Sequence, residues 1–251
     1  MDRASFLISL IEMKVINLHH QEILKRIQQN SGTPTKHTFL DSYLGNKHPR
    51  YPISNPILRG VLKEWMKENQ ELSVTDFAKL LTSLIEGVSS TEKITAGLLL
   101  DYATPAQKQF NPKLVDTWLN HVIGWVEVDS LCTNKYTSTE IASKWKQWKP
   151  LLIKFSKSKN IQKRRASLVL LCVPVRKPDN DELIEVALQN IDRLKGENEV
   201  LITKAISWVL RSMVKQYRKR VSAYIAKNKT TLPAIAVRET MMKLKTGRKS
   251  G

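Results

Sequence analysis

The chain has 251 residues and carries 41 lysines and arginines against 23 aspartates and glutamates, a formal charge of +18 with histidine neutral. Hydrophobic residues make up 41% and charged residues 25%, ordinary globular usage that excludes wholesale disorder and leaves the cationic excess to be explained by an acidic partner. Nine glycines without GxGxxG or GxxxxGK[ST] exclude the usual nucleotide-cradling loops, and Cys132 and Cys172, in unlike contexts, form neither a disulfide framework nor a CxxC zinc site.

Helical periodicity runs from end to end, and convincing strands are missing. Met1 to Gln29 reads as one or two amphipathic helices; the apolar stretch Phe6 to Ile11 is a buried helix face rather than a leader, because Glu12 and Lys14 interrupt it. The turn Ser31-Gly32-Thr33-Pro34 stops this unit, a short helix follows over Lys36 to Leu44, and Gly45, Pro49, Pro52 and Pro56 enforce a loop. Helices are then predicted over 55 to 69, 74 to 86, 91 to 103, 112 to 129, 139 to 157, 161 to 173, 181 to 195, 198 to 214, 217 to 228 and 235 to 245. Ser89 with Glu92 and Thr137 with Glu140 have capping-box spacing, and Pro105, Pro112 and Pro178 fall at boundaries. The longest later apolar run, Leu168 to Val175, is far short of the roughly 20 residues that span a bilayer, so a soluble protein away from membranes is expected.

Taken in pairs, these helices give units of roughly 35 to 40 residues, the period of HEAT-like repeats. The fold expected is all-α, a right-handed α-solenoid of HEAT-like helix pairs with a concave basic face. It is read as one domain over residues 1–246, with N-terminal helices in 1–44, repeats in 54–246 and a basic tail in 247–251. A non-repeating helical domain is the alternative.

In such an array the second helices of successive pairs line one surface, so residues that meet one extended ligand recur about one repeat apart. Trp125 and Asp129 lie near the end of one predicted helix, Arg165 follows Trp125 by 40 residues, and Trp208 follows Arg165 by 43. Trp125 and Asp129 are four apart and share a helix face, an aromatic wall beside a carboxylate that suits a cationic ligand. In the competing reading Trp125 is core and Asp129 caps a turn through Ser130. Lys163, Arg164 and Arg165 open a helix and oppose its macrodipole, which points to phosphate, although a solvated charged face is the plainer account. Lys204, Trp208 and Arg211 share a face at i, i+4 and i+7, as a DNA surface or as a packed tryptophan edged by cations. Trp145 and Trp148 read as structural aromatics on a basic helix, and Trp65 and Trp118 as core. His19 and His20 are adjacent while His37, His48 and His121 stand alone, so no helix-spaced metal pair occurs and neither metal nor cofactor is expected.

Together, Trp125-Val-Glu-Val-Asp129, Lys163-Arg-Arg-Ala-Ser167 and Lys204-Ala-Ile-Ser-Trp-Val-Leu-Arg211 resemble the AlkD-like DNA alkylation repair glycosylases, a family of HEAT-like helical repeats. Tyr43-Leu-Gly-Asn-Lys-His-Pro-Arg-Tyr-Pro-Ile53 with Pro56 and Arg59 resembles the family's N-terminal loop and helix start, and Leu232 through Glu239 its terminal segment. The resemblance implies Asp129, Trp125 and Trp208 as the catalytic set and Arg165 as the residue that holds the DNA backbone, with Arg164 competing because the doublet leaves the register open by one. It also places Tyr43 near the DNA, and Lys204 and Arg211 beside it. Val126, Ser207 and Ser212 depart from the family pattern, which affects positioning more than chemistry.

The implied activity is that of a monofunctional glycosylase, a hydrolase that excises cationic N3- or N7-alkylated purines. Its implied partner is alkylated double-stranded DNA, and the protein is expected to be a cytoplasmic, nucleoid-associated monomer. Two further readings are a non-catalytic helical-repeat protein that binds damaged or branched DNA, and a protein-binding scaffold, which the +18 charge disfavours unless its partner is acidic.

Overall fold

A computed structural model of the chain describes residues 17–33, 48–177 and 180–249, and among them every regular element is helical. The expected helix over Lys36 to Leu44, Tyr43 and the boundary at Pro178 lie outside the described residues. The helices are α1 (Leu18–Gln29), α2 (Asn55–Glu68), α3 (Val74–Ile85), α4 (Ser90–Tyr102), α5 (Lys113–Trp118), α6 (Gly124–Cys132), α7 (Lys135–Ser143) and α8 (Trp145–Ser156). There follow α9 (Ile161–Val169), a 3-10 turn (Pro174–Arg176), α10 (Asp181–Leu194), α11 (Val200–Met213), α12 (Arg218–Asn228) and α13 (Ala234–Thr246).

The sequence placed the caps of α4 correctly. The Ser89 hydroxyl accepts the Glu92 N–H, and the Glu92 carboxylate accepts the Ser89 N–H, so two orphan donors of the first turn are satisfied reciprocally. Thr137 is not a cap: Asn134 caps α7 by accepting the Thr137 N–H, and the Thr137 hydroxyl donates back to the carbonyls of Cys132 and Asn134.

Three of the expected helices are shorter than their periodicity implies. The stretch 112 to 129 is two helices, α5 and α6, because Gly124 adopts a left-handed φ of 76° that redirects the chain into α6. A residue with a Cβ is strained in that conformation, so glycine fits the corner. The stretch 139 to 157 is likewise two helices, α7 and α8, which meet at Lys144. The third ends at Val169, where the hydrogen bonds tighten to i→i−3 turns, Leu171 N–H to Leu168 and Cys172 N–H to Val169, that lead into the 3-10 turn.

One row of helices runs α2, α4, α6, α9, α11, α13, each packed against the next, while α8 packs against α5 and α10 to the side. Trp125, Arg165 and Trp208 therefore sit on α6, α9 and α11, three consecutive members of that row. Trp65, Trp118 and Trp148 are fully buried in the core with Phe77 and Phe155. The approach of α4 to α6 is close: a Cβ built on Gly97 would lie 2.4 Å from the Ser130 carbonyl oxygen, so only glycine lets α6 seat at this depth. That contact sets the height of Trp125 and Asp129 above α4.

Candidate functional site

Asp129 projects from α6 with its side chain 15% exposed, and both of its oxygens are taken by one guanidinium. Arg165 Nε donates to Oδ1 at 2.9 Å and Nη2 to Oδ2 at 2.7 Å, the bidentate geometry in which arginine binds carboxylate most strongly. Its Nη1 donates to the Leu201 carbonyl on α11 at 2.5 Å, so one side chain ties α6, α9 and α11 together. Asp129 is thus no turn cap; its backbone carbonyl, rather than its carboxylate, receives the Thr133 N–H and hydroxyl. Burial raises the Asp129 carboxyl above its ordinary value of 3.8, while the charge and hydrogen bonds of Arg165 pull in the opposite direction.

Arg164, one residue away, faces elsewhere. Its Nε and Nη2 meet the two oxygens of Glu197 at 2.8 and 3.1 Å, and its Nη1 donates to the carbonyls of Ser158 and Lys159. Lys163 donates to Asp116 at 2.6 Å. All three cations at the start of α9 therefore face carboxylates of the protein itself, which offsets their conflict with the helix macrodipole.

Asp129 and Trp125 line a cleft of about 320 Å³ together with Arg50, Asn55, Arg59 and Asp101. Trp208 and Lys204 lie on α11 and do not line it; Trp208 is half-buried against the core and Lys204 is exposed. Arg211 Nε lies 3.2 Å from both the Ser207 hydroxyl and Glu239 Oε2, and Ser207 in turn donates to Glu239 at 2.5 Å. The geometry thus brings Asp129, Trp125 and Arg165 together and sets Trp208, Lys204 and Arg211 one helix further along. A larger cavity, about 1180 Å³, opens between α1, α3 and the start of α4 and contains none of these residues.

Several residues that shape the cleft were not singled out by sequence reasoning. Glu127 is fully buried between Trp125 and Asp129 on α6, accepts the Ile123 N–H at 2.8 Å and binds His48 Nδ1 at 2.9 Å. Asp101 accepts the Lys135 N–H at 2.9 Å and pairs with Arg59 at 3.1 Å. The one available signal was the dense punctuation of 45 to 56, which marked the loop that Glu127 anchors. Among the described residues no group of three or more His, Cys, Asp or Glu side chains could hold a metal ion, and no helix is long and apolar enough to cross a membrane.

The family model of DNA alkylation repair enzymes matches residues 23–244, nearly the whole chain and every element of the cleft. The chain belongs to the DNA alkylation repair enzyme family. Membership places it in DNA alkylation repair, with DNA as the substrate. A solved structure from Enterococcus faecalis, described as a predicted DNA alkylation repair enzyme, superposes with a TM-score of 0.71 at 19% identity, covering 87% of this chain and 99% of that one. At that identity the likeness speaks for the all-helical fold alone. No curated protein sequence matches the chain.

Proposed function

We propose that this DNA alkylation repair protein is a monofunctional glycosylase that hydrolyses the N-glycosidic bond of cationic N3- or N7-alkylated purines in duplex DNA. The observation that carries the reading is a carboxylate, Asp129, fixed by a bidentate arginine on the wall that it shares with Trp125. Alkylation already places a positive charge on the purine, so the C1′–N bond breaks with its electron pair leaving on a base that departs neutral. No general acid is needed. Positive charge then develops on the deoxyribose, and Asp129 stabilises it electrostatically while orienting the water whose oxygen adds to C1′ and whose proton is released. The π face of Trp125 attracts the same cation by about 0.5–2 kcal/mol depending on desolvation. Trp208 acts from α11, two helices along the row from α6, and Arg165, besides holding Asp129, retains two guanidinium N–H groups for the DNA backbone.

A second reading has a specific observation in its favour. Both oxygens of Asp129 are engaged by Arg165, as in a structural ion pair, which fits a family member that binds damaged DNA without excision.

The two readings part in their pH dependence. If excision needs ionised Asp129, the rate falls as pH drops through the carboxyl's titration, and burial sets that limb above the 3.8 of an ordinary aspartate. Single-turnover release of 7-methylguanine, with the protein-free rate subtracted at each pH, checks this. The expected limb lies above the ordinary value in the wild type and is absent from Asp129→Asn. A limb that persists unchanged in the Asn variant assigns it to another group and removes Asp129 from the chemistry.

A further inference from the structure

We propose that Arg50 is the residue that seats the DNA phosphate beside the lesion at the Asp129 cleft, an inference that rests on the DNA repair reading above. Arg165 is 4% exposed and gives three of its N–H groups to Asp129 and the Leu201 carbonyl. Arg164 is held by Glu197, and Arg211 by Ser207 and Glu239. The arginines that the sequence pattern points to are thus largely committed within the protein.

Arg50 is differently placed. It lines the same cleft as Trp125 and Asp129, is half-buried, and its Nε is buried with no acceptor among the described residues. The carboxylates around the cleft have other cationic partners: Glu127 pairs with His48, Asp101 with Arg59 and Asp129 with Arg165. A guanidinium donor shut away from water without an acceptor is unfavourable, and an incoming anion relieves that cost. The edge formed by Nε and Nη matches two oxygens of a phosphodiester.

The segment that carries Arg50 is fixed on both sides. His48 Nδ1 binds Glu127 at 2.9 Å, the Pro49 carbonyl accepts the Ser90 N–H at 2.8 Å, and the Tyr51 N–H donates to the Thr91 hydroxyl at 3.0 Å. Glu127 also accepts the Ile123 N–H at the start of α6, so one buried carboxylate sets the position of Arg50 relative to Trp125 and Asp129. The acidic groups of the cleft are paired, Asp129 with Arg165 and Asp101 with Arg59 and the Lys135 N–H, which weakens their repulsion of an anion. Arg59, with its side chain 47% exposed, is already paired with Asp101 at the rim.

The test compares wild type, Arg50→Ala and Arg50→Gln on a duplex with one tetrahydrofuran abasic site and on an undamaged duplex, over a range of salt. Loss of one phosphate contact lowers the slope of log K against log salt by about 0.9. At low salt both variants are expected to bind the abasic duplex at least about tenfold more weakly, with melting temperatures like the wild type's. A purely structural role for Arg50 would leave the slope unmoved. Should Arg50→Ala melt early, Arg50→Gln, which keeps most of the side-chain stem and removes the charge, decides. Wild-type affinity and slope in the folded Gln variant would overturn the proposal for Arg50 alone, whereas a wild type with no salt-dependent duplex binding would overturn the DNA reading on which it rests.

Discussion

Replacing Arg165 with alanine costs about 3–5 kcal/mol of stability at neutral pH, the range seen when one partner of a buried ion pair is removed and the other is left uncompensated. The pair is largely shut from solvent, with side chains 5% and 15% exposed, and the change also strips the Leu201 carbonyl of its donor. The deficit depends on pH in a definite direction. Without Arg165 nothing opposes burial, so the folded-state pKa of Asp129 rises further. A group with a raised folded pKa penalises folding above that pKa and ceases to do so as it takes up a proton. The gap in stability between wild type and Arg165→Ala therefore narrows as pH falls toward the carboxylate range. Denaturant melts of both proteins at several pH values measure it; a gap below 1 kcal/mol at neutral pH, or one that widens on acidification, contradicts the pairing.

Replacing Asp129 with asparagine lowers single-turnover excision of 7-methylguanine by at least about tenfold, equivalent to about 1.4 kcal/mol of barrier. The side chain keeps its shape and loses the charge that the proposed mechanism sets against the deoxyribose cation. Stability falls as well, because Arg165 exchanges a charge-assisted pair for a neutral amide, and such bonds contribute roughly 1.5–3 kcal/mol. A melting curve on its own therefore cannot separate a catalytic Asp129 from a structural one; the rate per folded molecule does. Affinity for undamaged DNA stays level or rises slightly, since the variant leaves more of Arg165's charge for phosphate. A folded Asn variant with the wild-type rate would make Asp129 structural only.

The order of helices was legible because burial imposes helical spacing on apolar residues, and most of the predicted spans survive within a few residues. What failed was local. Gly124 looks like any helical residue in a periodic stretch, and only its left-handed backbone shows that α5 and α6 are separate. Thr137 and Glu140 have the spacing of a capping box, but Asn134, three residues earlier, takes the cap. The site was legible in part. Trp125 and Asp129 share a wall because four residues separate them on one helix, which sequence alone dictates. The partner of Asp129 was not legible, since Arg164 and Arg165 differ by one position and only interhelical packing decides that Arg164 meets Glu197 and Arg165 meets Asp129. Arg50 and Glu127 lie inside the quoted motifs, but their part in the cleft was not legible for the same reason: a contact between segments 79 residues apart, His48 with Glu127, brings them together.

Incubation of the wild-type protein with duplex DNA methylated at N7 of guanine and N3 of adenine, followed by chromatography of the released bases, tests the central claim most directly. The account predicts free 7-methylguanine or 3-methyladenine above the protein-free control, with strands that stay intact until alkali cleaves them at the abasic sites. Salt-dependent binding to the same DNA with no free base above the control would contradict it and leave a damaged-DNA binding protein in its place.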